Sequence, residues 1–106
     1  MRQRARVDSN QLVIVKALRS VGATVEHLHQ LGHGVCDLLV LYKERLYLIE
    51  IKDGSKPPSQ RKLTADEQAW HKRWPVYTVE TVADALKVIG LTIDERGRIK
   101  ECQHAS

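Results

Sequence analysis

Gly34-Val35-Cys36-Asp37-Leu38-Leu39-Val40-Leu41-Tyr42-Lys43-Glu44-Arg45-Leu46-Tyr47-Leu48-Ile49-Glu50-Ile51-Lys52 is two apolar runs joined at Lys43-Glu44. One acid stands near the start of the first run, and an acid and a lysine two apart close the second. Short apolar runs on either side of a tight turn read as strands, over 35–42 and 45–52. Side chains on a strand alternate faces, so Glu50 and Lys52 point the same way. A turn centred on Lys43-Glu44 pairs Tyr42 with Arg45 and sets Asp37 opposite Glu50. Facing Cβ atoms in such a pair lie roughly 4.5–5.5 Å apart, and like charges there repel. Two carboxylates opposed in an apolar hairpin call for a cation between them. Apart from these charges both runs are apolar on both faces, which predicts strands in the middle of a sheet covered on each side.

The flanking sequence supplies the covers. Asp8 or Ser9 can cap a helix over 10–21, with Ile14, Ala17, Leu18 and Val21 as its buried stripe and Gly22 as its stop. Residues 23–28 alternate weakly and read as a first strand. Leu31-Gly32-His33-Gly34 is a loop in which glycine lets the backbone turn or approach a ligand closely. A long polar loop follows Lys52, stiffened by Pro57 and Pro58. Thr64-Ala65-Asp66-Glu67 is a capping box, and Pro75 ends the helix it starts. Residues 76–79 form a short β-branched strand. Thr81 caps a last helix to Ile89, closed by Gly90, and a hairpin around 91–93 and 98–99 completes the chain. The order α-β-β-β-α-β-α predicts an α/β sandwich.

At 106 residues the chain makes one domain with a single core. Residues 1–7 form a basic N-terminal arm, and a tail from about residue 100 is expected to fray. No run is apolar and long enough to span a membrane, and the basic N-terminus lacks the apolar stretch of a secretory signal, so a cytoplasmic location is expected. Cys36 and Cys102 stand far apart outside any Cys-x-x-Cys pairing, which argues against a disulfide framework or a zinc site. The net charge of +4 favours polyanionic partners.

Magnesium and manganese prefer oxygen ligands, commonly one or two carboxylates with water and substrate phosphate. Asp37 and Glu50 can supply the carboxylates, and the Ile51 carbonyl between the two site side chains can add a third oxygen. Lys52, on the face of Glu50, can orient the attacking water or neutralise a phosphate, and it can compensate the two acids when no metal is bound. An acid and a lysine two apart are also the makings of a plain solvated ion pair. The apolar surroundings, the shared parity of the three groups and the basic loop that follows all argue for a site instead.

This ordered set resembles the PD-(D/E)XK nuclease superfamily, and within it the small virus-type replication-repair nuclease (VRR-NUC) group. The likeness runs from Asp8 to about Leu86. Gly34-Val35-Cys36-Asp37 is similar to that group's Gly-x-Pro-Asp, Glu50-Ile51-Lys52 to its Glu-x-Lys, and Gln68 to the glutamine of its next helix. The resemblance implies a restriction-endonuclease-like α-β-β-β-α-β core with a mixed central sheet flanked by helices. It implies metal-dependent phosphodiester hydrolysis with Asp37, Glu50 and Lys52 as the catalytic core and Gln68 in support. It also implies a homodimer acting on branched DNA such as Holliday junctions, in repair, recombination or phage DNA processing. The chain departs from the pattern twice. Cys36 replaces the proline, and a thiol beside a metal could take soft ions. The glutamate often found on the first helix is missing, leaving Asp8, Asn10 and Gln11 as candidates, with Gln11 preferred.

Lys56, Arg61 and Lys62 in the proline-bearing loop, and Lys72 one turn beyond Gln68, are expected to contact phosphates. His33, in the glycine loop, could touch a phosphate or the attacking water. His27 and His29 would share a strand face, without an acid or cysteine to complete a zinc site. Trp70 and Trp74, a turn apart, suit a core or a dimer interface better than base stacking. No helix presents side chains to read base edges, so structure-selective cleavage is expected over sequence-specific cleavage. The rival readings are a non-catalytic DNA-binding module that keeps the fold, an RNA-processing nuclease, and a subunit of a larger nuclease.

Overall fold

The computed structural model describes residues 9–53 and 63–102. Helix α1 (Ser9–Ser20) leads into β1 (Thr24–His27), a single 3-10 turn (His29–Leu31), and the hairpin β2 (Leu38–Tyr42) and β3 (Arg45–Ile51). Then come α2 (Ala65–Arg73), β4 (Val76–Val79), α3 (Val82–Val88), and a hairpin of β5 (Leu91–Ile93) and β6 (Ile99–Glu101). The four-stranded sheet is mixed, in the order β1-β2-β3-β4, with β3 and β4 parallel and the other pairs antiparallel. The protein is thus a small α/β domain, and its element order is the one the sequence predicts.

The hairpin register is also the expected one: Tyr42 pairs with Arg45 and Leu38 with Ile49. Lys43 and Glu44 occupy the turn with φ of 50° and 66°. Left-handed values at both central positions are what a two-residue hairpin needs to match strand twist, even though neither residue is glycine.

The core lies on one face of the sheet. Leu38 and Val40 of β2, and Ile49 and Ile51 of β3, meet Ile14, Val15 and Leu18 of α1 and Ala85 and Leu86 of α3. The side chains of opposite parity fare differently. Leu41 is 41% exposed and Leu46 68%, so the expectation of a sheet covered on both faces is corrected. The described helices explain this: α1 and α3 pack on the core side, and α2 buries none of its residues. Leu39, Leu46, Leu48, Trp74, Pro75 and Tyr77 instead line an open groove of about 670 Å³. Trp70 and Trp74 stack on each other with centroids 5.2 Å apart, outside the core.

Smaller corrections concern the ends. The strand holding His27 stops there, and His29 opens the 3-10 turn, so the two histidines do not share a strand face. β2 begins after Asp37 rather than at Val35. The final hairpin extends to Glu101, where Lys43 of the β2–β3 turn forms an ion pair with the Glu101 carboxylate. No helix among the described residues is long and apolar enough to cross a membrane.

Candidate active site

Three segments converge at one end of the sheet: the approach to β2, the end of β3 and the first turn of α2. Asp37 is fixed through its backbone, whose carbonyl accepts from Leu28 N–H at 2.8 Å. Its side chain reaches across to β3, where Oδ2 accepts from Ile51 N–H at 2.7 Å. Lys52 N–H donates in the other direction, to the Val79 carbonyl of β4. Alternation along the strand therefore turns the Ile51 carbonyl toward the Asp37 side. Asn10 ties the strand end to α1, donating from Nδ2 to the carbonyls of Lys52 (3.3 Å) and Glu80 (3.0 Å). Asn10, weighed beside Gln11 in the sequence, is the one that reaches β3.

Glu50 is only 3% exposed, yet its Oε1 has no hydrogen-bond partner among the described residues. Its other oxygen, Oε2, lies 3.4 Å from Lys52 Nζ. Burial, and then the Asp37 and Glu67 carboxylates, push the Glu50 carboxyl up from its ordinary 4.5 to about 7, against the opposing pull of Lys52. A buried carboxylate facing two others is costly unless a cation compensates it. Lys52 does so only in part, from a distance at the long end for an ion pair.

Glu67 is the member of this cluster that sequence reasoning read only as a cap. The box itself forms as expected: Glu67 N–H donates to Thr64 Oγ1 at 3.1 Å, and Glu67 Oε1 accepts from Thr64 N–H at 2.9 Å. The same Oε1 also lies 3.4 Å from Lys52 Nζ. The glycine loop brings this turn to the sheet. Gly34 has φ +81°, and a Cβ on it would lie 2.4 Å from the Asp66 carbonyl carbon and oxygen. Only glycine permits that approach, and a glycine three residues before the acid was the available signal.

The remaining predicted residues are distributed as follows. Gln68 is exposed and donates its amide to the Leu63 carbonyl at 3.1 Å, the residue before it on α2 being the one that meets Lys52. Gln11 is buried on the core side of α1, its Nε2 3.2 Å from His27 Nδ1. His33 is exposed in a left-handed conformation between two glycines, with φ of 57°. Lys72 is exposed on α2. Lys56, Arg61 and Lys62 lie outside the described residues. His71, one turn beyond Glu67 on the same helix face, has its Nε2 buried without a partner among the described residues. Cys36 is fully buried, and burial pushes its thiol up to about 11. Its Sγ donates to the Leu38 carbonyl, and in this setting the protonated thiol packs as a small apolar group.

Among the described residues no three His, Cys, Asp or Glu side chains form a ready-made metal cage. What the sheet end offers is the Asp37 and Glu50 carboxylates, a main-chain carbonyl and Lys52, with the Glu67 carboxylate also beside the lysine. No protein-family model, no curated protein and no solved structure matches this chain.

Proposed function

We propose that the protein is a magnesium- or manganese-dependent endonuclease that hydrolyses phosphodiester bonds in branched DNA, in the manner of a Holliday-junction resolvase. The observation that carries this reading is Glu50, buried beside the Asp37 carboxylate with one carboxylate oxygen unpartnered among the described residues. A hard divalent cation suits that donor set, because it neutralises both acids and accepts the remaining oxygens from water and phosphate. Asp37, Glu50 and the Ile51 carbonyl would hold it. Bound there, the cation would polarise the scissile phosphate and acidify the attacking water.

The chain's own residues do the rest. Asp37 joins the two strands through Ile51 N–H, so its charge is delivered on a rigid frame. Lys52 projects from a backbone clamped by Val79 and Asn10 and places a positive charge where phosphate negative charge must be met. The basic residues of the loop after Lys52, and Lys72, would hold the DNA backbone without reading sequence. The restriction-endonuclease-like core, the homodimer and a role in repair, recombination or phage DNA processing belong to the same reading. A dimer gives two related sites for the two strands of a junction, and twofold pairing is the commonest symmetry.

The test is cleavage of a synthetic four-way junction, with linear duplex and structured RNA as competitors, in magnesium and in manganese. Wild type cuts the junction, and Lys52→Ala and Asp37→Asn each lower the rate at least about 100-fold. Asp37→Asn keeps an oxygen to accept from Ile51 N–H, so its loss reports charge and not folding. Salt-sensitive DNA binding without cleavage would contradict the enzyme and mark a binding module. Preference for RNA would contradict the substrate, and sedimentation as a monomer at micromolar concentration would contradict the dimer.

A further inference from the structure

We propose that Glu67 is a positioning residue for Lys52: it holds the ammonium at the site through an ion pair from the first turn of α2. This rests on the reading of Asp37, Glu50 and Lys52 as a nuclease centre. Lys52 Nζ lies 3.4 Å from a carboxylate oxygen of Glu50 and 3.4 Å from one of Glu67. These two anchors are not equivalent. Glu50 is a cation ligand, so a divalent ion on its carboxylate weakens the attraction for Lys52 and repels the ammonium directly. Glu67 lies on a different element and keeps its charge for the lysine.

The position of Glu67 is itself overdetermined. Its Oε1 is held by Thr64 N–H at 2.9 Å, and its backbone N–H by Thr64 Oγ1. Its turn is seated against Gly34, three residues before Asp37. A flexible lysine on a strand end is thereby met by a carboxylate with little freedom to follow it elsewhere. A cap needs only an acceptor for Thr64 N–H, which a neutral amide supplies equally well. The Thr64 N–H therefore does not require a charge at residue 67, and among the described residues Lys52 is a cation that this charge meets.

Glu67→Gln separates the two roles, because the amide oxygen still accepts from Thr64 N–H while the charge is gone. Thr64→Ala is the complementary control, removing half the cap and leaving the carboxylate. On the full chain with junction DNA and saturating magnesium, Glu67→Gln lowers kcat about 10- to 100-fold with KM within about twofold. Thr64→Ala lowers Tm but keeps kcat within about twofold of wild type. Independently of activity, lysine side-chain NMR reads the order of the Lys52 ammonium with and without magnesium. Wild type retains an ordered Lys52 in both conditions, and Glu67→Gln loses it when magnesium is added. Unchanged Lys52 order in Glu67→Gln, or a kcat no lower than that of Thr64→Ala, overturns the inference. A wild type that cleaves nothing, but whose Lys52 loses order in Glu67→Gln, overturns the nuclease reading and leaves the positioning role standing.

Discussion

Burying a carboxylate is costly unless its charge is matched, and at Glu50 the mismatch has a measurable consequence for stability. The folded protein keeps the Glu50 proton up to about pH 7, whereas the unfolded chain releases it near 4.5. Between those values the folded state binds more protons than the unfolded one, so stability falls as pH rises. The stabilisation is fully present below about 4.5 and lost above about 7. For a shift of this size the change is on the order of 3 kcal/mol. Chelator-treated protein should therefore melt at a higher temperature near pH 5 than near pH 8. Glu50→Gln, which cannot ionise, should flatten that dependence when the two proteins are compared by calorimetry across the range. An equally steep decline in Glu50→Gln would place the titrating group elsewhere. The residue scale also shows what sequence could not carry. The register that brings Asp37 beside Glu50 was legible because strand pairing is arithmetic. The ion pair between Lys52 and Glu67 was not, because it joins elements separated by a loop whose path no local pattern fixes.

At the scale of elements, the turns at the two ends of the β2–β3 hairpin, one far from the site and one beside it, make opposite predictions. Lys43 and Glu44 hold left-handed φ values on L-residues with side chains, each at a cost of roughly 1–2 kcal/mol. Glu44→Gly should relieve one of these and stabilise the protein by about 1 kcal/mol in urea unfolding, with no effect on the site. Gly34→Ala should do the reverse. It combines a positive φ with a Cβ that would overlap the Asp66 carbonyl, and should cost at least about 2 kcal/mol while separating α2 from the glycine loop. A neutral Gly34→Ala would show that α2 does not seat there. The capping box, the end of α2 before Pro75, the Thr81 cap and the hairpin register were all readable, because each is set by contacts within a few residues or by a tight turn. The cover over the second sheet face was misread for a different reason. Leucines on both faces of β2 and β3 look alike in sequence, and apolar side chains are common on protein surfaces.

For the whole molecule, the mixed sheet acts as a frame that commits one face to the α1–α3 core and gathers charge at one end of the other. Parity divides the hairpin between these tasks: Leu38, Val40, Ile49 and Ile51 go inward, while Glu50 and Lys52 turn to the side that α2 approaches. Lys52 and the Ile51 N–H offset part of the repulsion within the carboxylate pair, which leaves a buried oxygen of Glu50 without a partner among the described residues. The central claim is that this end of the sheet holds a hard divalent cation. Titration of chelator-treated protein with manganese near pH 7.5, followed by the electron paramagnetic resonance of the free ion, tests it most directly. Saturable binding by wild type, abolished in Glu50→Gln and strongly weakened in Asp37→Asn, is the predicted result. No binding by folded wild type, or binding of equal affinity in both variants, would contradict it.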